Sequence, residues 1–219
     1  MKKPSEIRVY AAGPRAPAAF ILAHGAGAGH DHPFMVGFAS ALRDLGLDVV
    51  TFNFLYIDEK RRLPDRAPVL EETYRAVIDS VRNDLESARR SLFIGGKSMG
   101  GRIATQVAAG DASLPVAGLV LLGYPLHPPG QPHKLRDAHL PDVRRPMLFV
   151  QGSRDTFGTP GELAPILQRL SPAPAVETID GGDHSFKLSR KDPARQAAID
   201  AGIQQRIVEW ITAMTGGGR

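Results

Sequence analysis

Apolar residues follow two rhythms along this chain. Short continuous runs rich in Val, Ile, Leu and Phe alternate with longer stretches whose apolar side chains recur every three or four positions. The continuous runs are Ala19–Ala23, Val49–Phe54, Leu92–Ile94, Val116–Leu122 and Met147–Gln151, with Val176–Ile179 as a further strand and Ile7–Tyr10 as a weak one. Strands apolar on both faces belong to a parallel sheet covered by helices on either side. The helical rhythm spans Phe34–Leu45, Val69–Arg89, Met99–Ala109, Gly161–Leu170 and Arg195–Met214. In the last of these Ile199, Ile203, Ile207, Trp210 and Ile211 share one face. Strand and helix alternate throughout, which predicts an α/β fold: a three-layer α/β/α sandwich around a mostly parallel sheet.

Two connections interrupt this rhythm. Residues 55–68 and 123–145 are rich in Pro and Arg, and both approach or exceed the length beyond which a structureless loop usually carries function. They are expected to rim a site, and Tyr124 with the segment through Pro132 is read either as a small lid or as a rigid Pro-rich connection without a partner. The closing "TGGGR", residues 215–219, reads as a flexible tail.

Composition changes this picture little. A chain of 219 residues suits one domain with one core, and 42% hydrophobic with 23% charged residues is ordinary for a water-soluble protein. The absence of cysteine removes disulfides, thiolate metal sites and a cysteine nucleophile. Pro4, Ser5, Glu6 and Arg8 interrupt any apolar leader, and no run is long enough to span a membrane, so a cytoplasmic location is expected. The net charge of +4 comes from basic residues scattered singly or in pairs, without an aromatic stacking surface, which argues against a nucleic-acid partner.

The stretch "FIGGKSMGG", residues 93–101, bears the most chemistry. Its Gly-Lys-Ser invites comparison with a phosphate-binding loop, but that loop needs a glycine five positions before Gly96, where Ser91 stands. Residues 92–94 are moreover Leu-Phe-Ile, a strand that cannot curl around an anion. The alternative, G-x-S-x-G, fits: a buried strand, a sharp turn with Ser98 at its apex, then a helix from Met99. Gly95, Gly96, Gly100 and Gly101 allow strand and helix the close approach that such a turn demands.

An elbow serine needs a base, and the base an acid. The strand "PMLFVQ" leads to Asp155, and the strand ending at Ile179 leads through "DGGDHSF" to His184, in the order serine, acid, histidine. Both would lie at the carboxyl edge of the sheet, so Ser98, Asp155 and His184 are the expected triad. His127, His133 and His139 compete for the base from the wrong part of the chain. Asp183 is expected to fix the histidine loop, and Lys97 to pack or hydrogen-bond behind the turn. An oxyanion hole should combine the N–H of Met99 with a donor from "HGAGAGHDHPF", Ala26 first and Gly27 next. In the same loop His30, Asp31 and His32 lack a third ligand from elsewhere, so no metal or other cofactor is expected, and Asp31 before Pro33 suits a helix cap.

With these positions assigned, the sequence resembles the α/β-hydrolase superfamily, and within it a dienelactone-hydrolase-like branch that also holds chromatin-complex members thought to act as scaffolds. The resemblance rests on "HGAGAGHDHPFM", "TFNFLY", "RRLPDRAPVLE", "GGKSMGGR", "LGYPLHPPGQP", "FVQGSRD" and "GGDHSFK", and covers nearly the whole chain. It implies a hydrolase fold with a minimal cap. The sequence departs from true dienelactone hydrolases in having Ser98 where they use cysteine. The expected activity is that of a serine esterase cleaving a small carboxylic ester or thioester through an acyl-enzyme. The alternative is a silent interaction module on the same fold. Candidate substrate-binding residues are Arg61, Arg62, Arg102 and Tyr124.

Overall fold

A computed structural model describes residues 6–189 and 192–216. Residues 1–5, part of the reading against a leader peptide, and 217–219 of the expected tail lie outside them. Seven strands form one sheet: β1 (Ile7–Tyr10), β2 (Ala19–Ala23), β3 (Asp48–Phe52), β4 (Leu92–Lys97), β5 (Gly118–Leu122), β6 (Met147–Gly152) and β7 (Ala175–Ile179). Their spatial order is β1-β3-β2-β4-β5-β6-β7. Every neighbouring pair is parallel except β1 with β3, where the weak N-terminal strand lies antiparallel along one edge.

The continuous apolar runs divide between two cores by alternation. In β2, Ala19, Ile21 and Ala23 face one core while Phe20 and Leu22 face the other. Helices α1 (Pro33–Asp44) and α7 (Pro193–Gly216) cover the second face, where Phe93 of β4 meets Trp210 edge to face at 5.8 Å. Burial of an aromatic side chain of this kind contributes about 1.5–3 kcal/mol. The first face is covered by α3 (Ala67–Asp84), α5 (Met99–Ala109) and α6 (Pro160–Leu167). These are the three layers expected. Among the described residues no helix is long and apolar enough to cross a membrane.

Several boundaries differ from expectation for local reasons. The single helix expected over Val69–Arg89 breaks at Leu85, whose extended backbone (φ −108°, ψ 124°) separates α3 from a short α4 (Glu86–Arg90). Leu85 still packs on the core, so the apolar period passes through the break unaltered. Val116 is buried ahead of β5 rather than within it. Residues 55–68 begin with a helical turn, α2 (Leu55–Asp58), and residues 123–145 carry only a 3₁₀ turn at Leu140–Asp142. Helix α7 runs through Thr215 and Gly216, so the first two residues of the expected tail are helical. Asp31 does not cap α1. His32 is the N-cap, its Nδ1 accepting the Phe34 N–H at 3.2 Å, while Asp31 pairs with Arg8 at 2.7 Å.

This topology fixes where a site can form. After β3 the chain crosses β2 to enter β4, so the connections leaving β2 and β4 diverge at the carboxyl ends of adjacent strands. Such a switch point opens a crevice in a doubly wound sheet.

Candidate active site

Ser98 stands at the tip of β4, between the strand and α5, with φ 50° and ψ −114°. A non-glycine residue there is strained by about 1–3 kcal/mol and persists only where the surroundings dictate it. They do so through close packing. A Cβ on Gly96 or Gly100 would collide with the backbone carbonyl of Ala23 in β2. Tyr74 of α3 braces the turn from behind, its hydroxyl donating to the Gly95 carbonyl at 2.7 Å and accepting the Gly95 N–H at 3.0 Å.

The His184 imidazole lies between serine and carboxylate. Its Nε2 is 2.8 Å from Ser98 Oγ and its Nδ1 2.7 Å from Asp155 Oδ2. Asp155 is 1% exposed, and its carboxylate is fully engaged. Oδ1 accepts the Phe157 N–H at 2.8 Å, and Oδ2 accepts both His184 Nδ1–H and Gln151 Nε2 at 2.8 Å. A carboxylate so held acts as an acceptor, which favours the imidazole tautomer with the proton on Nδ1 and turns the lone pair of Nε2 toward Ser98 Oγ. The Phe157 ring stacks on the imidazole at 4.2 Å between centroids.

Two further residues hold this line. Lys97, 8% exposed, donates from Nζ to the His184 backbone carbonyl at 2.5 Å, over the Phe186 ring. Burial pulls its pKa down to about 8, against the opposing pull of Asp155 and Asp183. Asp183 organises the histidine loop, its Oδ1 accepting the N–H groups of Ser185 and Lys187 at 2.7 and 2.9 Å.

The loop after β2 lies against the nucleophile: a Cβ on Gly25 would stand 3.6 Å from that of Ser98. His24 pins this loop. Its Nδ1–H donates to the Gly25 carbonyl at 2.8 Å, and Nε2 accepts the Phe54 N–H at 3.1 Å. Burial pushes its pKa down to about 4, so the ring is neutral, as those two roles require. Among the described residues no hydrogen bond takes the N–H of Ala26, nor that of Met99 at the first turn of α5. Gly27 also lines the cleft, and among the described residues its N–H takes part in no hydrogen bond either. Ala26, Gly27 and Met99 line the cleft together with Ser98, and Met99 stands at a helix N-terminus whose dipole favours negative charge.

These groups open into a cleft of about 660 Å³. Its walls include Phe34, Met35, Leu70 and Phe157 on the apolar side, and Arg102, Arg136 and Lys187 on the basic side. Both long connections contribute, through Pro64 and Asp65 and through Pro125 and Arg136.

Of the residues expected to bind substrate, only Arg102 lines the cleft. Arg61 is occupied by Glu59 and Asp65, at 2.6 and 2.7 Å, and Arg62 is exposed outside the lining. Tyr124 is 0% exposed, because its ring packs on Phe149 and its hydroxyl donates to the Arg136 carbonyl at 2.6 Å. Of the segment it begins, Pro125 and Arg136 line the cleft. None of the competing histidines lines the cleft. His127 faces Glu162, and His139 pairs with Thr105 at 2.8 Å. Among the described residues, no group of three or more His, Asp and Glu side chains converges as a metal site.

Sequence reasoning overlooked Gln151, Phe157 and Arg136. A signal existed for Gln151, a lone amide closing an otherwise apolar buried strand. None existed for the others, which depend on how loops return to the sheet.

The fold recurs in solved structures. A serine hydrolase without a lid from Xanthomonas campestris shares 24% identity over 91% of this chain and 88% of its own, with a TM-score of 0.69. The esterase Est1E of Butyrivibrio proteoclasticus, solved with ferulic acid, shares 14% over 94% and 95%, at 0.74. A dienelactone hydrolase from Anabaena variabilis shares 20% over 91% and 88%, at 0.69. These are likenesses of fold. The family model for the alpha/beta hydrolase domain matches residues 16–212. A seven-stranded sheet with a serine elbow at its switch point, matched over nearly its whole length, makes this chain a member of the alpha/beta hydrolase domain family, with the fold of its dienelactone-hydrolase-like branch.

Proposed function

We propose that the protein is a serine hydrolase that cleaves a small carboxylic ester or thioester through an acyl-enzyme. One observation carries this reading: Ser98 Oγ, the His184 imidazole and the Asp155 carboxylate form one hydrogen-bonded line, with links of 2.8 and 2.7 Å. Ser98 attacks the substrate carbonyl while His184 Nε2 takes its proton, and Asp155 stabilises the imidazolium. The oxyanion that forms accepts hydrogen bonds from Met99 and Ala26. Collapse breaks the bond to the alcohol or thiol, which leaves with the proton from His184. Water, deprotonated by the same imidazole, then attacks the acyl carbonyl and frees Ser98. Ferulic acid bound to Est1E and a dienelactone hydrolase among the fold relatives support this substrate class.

The test is labelling with a fluorophosphonate, which reacts with a serine activated by a base and supported by an oxyanion hole. Wild type is expected to label, and Ser98→Ala and His184→Ala are not. In an ester assay kcat should fall by about 10⁴-fold or more in either variant. A folded wild type that neither labels nor turns over any ester would favour the silent interaction module.

A further inference from the structure

The cleft wall carries two half-buried arginines. Arg8, Arg43, Arg61, Arg75, Arg90 and Arg206 each stand in an ion pair with a carboxylate, and most of the other arginines among the described residues are exposed to solvent. Among the described residues Arg102 and Arg136 stand in none, although both line the catalytic cleft. Arg102 reaches only the Gln106 side-chain oxygen, at 3.3 Å, and Arg136 only the Pro125 carbonyl, at 3.5 Å. Burial first, and then the charge of Arg136, lower the Arg102 pKa, and Tyr124 and Glu71 offset part of this. Two half-buried guanidinium groups thus line one cleft with no ion-pair partner among the described residues, an arrangement unfavourable to the empty protein.

The surroundings keep the pair in place rather than neutralise it. Arg102 stands on α5 one turn beyond the nucleophile, its N–H donating to the Ser98 carbonyl at 3.1 Å. Arg136 is fixed through its backbone, its N–H donating to the Leu126 carbonyl at 2.8 Å and its carbonyl accepting from Tyr124. The Tyr124 N–H donates in turn to Gln151 Oε1 at 2.8 Å, and the amide of Gln151 holds Asp155. The position of the second guanidinium is therefore tied to the acid of the triad. His139 behind them is neutral, its pKa pushed down to about 4 by burial and by Arg102, so it brings neither anion nor cation. The carboxylate on the opposite rim, Asp65, is taken by Arg61 at 2.7 Å.

We propose that Arg102 and Arg136 form an anion subsite, so that the ester or thioester cleaved at Ser98 carries a carboxylate or phosphate within reach of the scissile carbonyl. Forked guanidinium donors suit such groups, and Arg102 stands about 5.4 Å along its helix from the nucleophile. The anion itself is unchanged by the reaction. This inference rests on the hydrolase reading for its chemistry but not for its binding.

The experiment compares p-nitrophenyl hemiglutarate and hemisuccinate with the uncharged pentanoate and butanoate esters, in wild type, Arg102→Gln, Arg136→Gln and Arg102→Lys. Wild type is expected to favour the charged esters by about 10- to 100-fold in kcat/KM. That ratio should collapse toward one in either Gln variant and recover in part in Arg102→Lys, and Tm should stay level or rise because repulsion is relieved. A merely structural role for the arginines would lower Tm and slow both ester classes alike, and would overturn the proposal. So would a wild type that prefers the neutral esters, although the hydrolase reading would then survive. If no ester is cleaved and no fluorophosphonate is taken up, the hydrolase reading falls, and binding decides the subsite alone. In Ser98→Ala, glutarate or inorganic phosphate should raise Tm, and the shift should vanish when Arg102→Gln is added. The more effective anion identifies carboxylate or phosphate, and no shift with either overturns the subsite.

Discussion

Lys97 adjoins Ser98 in sequence and His184 in space. Its Nζ holds the His184 backbone carbonyl from beneath, so its charge keeps the imidazole at hydrogen-bond distance from both partners. A charge-assisted bond of this kind is roughly twice as strong as a neutral one. With a Lys97 pKa of about 8, the hold weakens as pH rises past that value. The rate in wild type is therefore expected to decline on the alkaline side of about pH 8. Lys97→Met should lose kcat by about 10-fold or more with little change in KM, and without an alkaline limb of its own. Equal losses in kcat/KM through KM alone would instead make Lys97 a substrate contact. Residue types and spacing alone brought Ser98, Asp155 and His184 forward, because strand ends and chain order constrain them. The Gln151 amide stood out in its apolar strand, but neither its role nor that of Phe157 was legible in that way. Each depends on a side chain reaching across a turn, and local sequence does not encode such a distance.

At the scale of elements the decisive unit is β4, its turn and α5. The helix starts so close to β2 that α5 can lie against the sheet only with glycine at its first positions. Gly100→Ala would drive a methyl into the Ala23 and His24 carbonyls, and is expected to destabilise by about 1–3 kcal/mol and to reduce activity through the displaced Ser98. Gly37, exposed within α1 with nothing near its missing Cβ, is the control. Gly37→Ala should stabilise by about 0.5–1 kcal/mol and leave turnover alone. Urea unfolding of both variants checks the pair, and equal effects would contradict this account of the elbow. Strand and helix periods identified these elements because burial on both faces leaves an unbroken apolar signature. They could not reveal the break at Leu85, where the side chain keeps its place in the core while the backbone leaves the helix.

For the whole molecule, two neutral histidines, the buried His24 and the half-buried His139, contribute to the acid response. His24 and His139 have pKa values of about 4 in the folded state, while an unperturbed imidazole titrates near 6.5. Between those values the unfolded chain binds more protons than the native one, so stability rises with pH across the window and is lost as pH falls from about 6.5 toward 4. Melting temperatures measured from pH 7 to pH 4.5 should fall accordingly. His139→Gln, which retains a partner for Thr105, should flatten the slope. A wild-type Tm that stays constant over that range would contradict the burial argument. The three-layer architecture was legible at this scale, since a parallel sheet with helices on both faces admits few topologies. The meeting of Arg102 from α5 with Arg136 from a distant connection was not, because it exists only once β5, β6 and the elbow are assembled.

The connection after β5 bears on what becomes of an acyl group once it sits on Ser98. That segment carries a single 3₁₀ turn and is anchored at its start by Tyr124, whose hydroxyl donates to the Arg136 carbonyl, and it leaves the cleft open in this structure. A sealed cleft would let a bound alcohol or amine compete for the acyl carbon. An open one keeps the carbonyl bathed in water at some tens of molar, far above the concentration of any dissolved acceptor. Under the proposed mechanism the partition is thereby set toward hydrolysis and away from acyl transfer. Turnover is governed by bond making and breaking rather than by the opening of a gate.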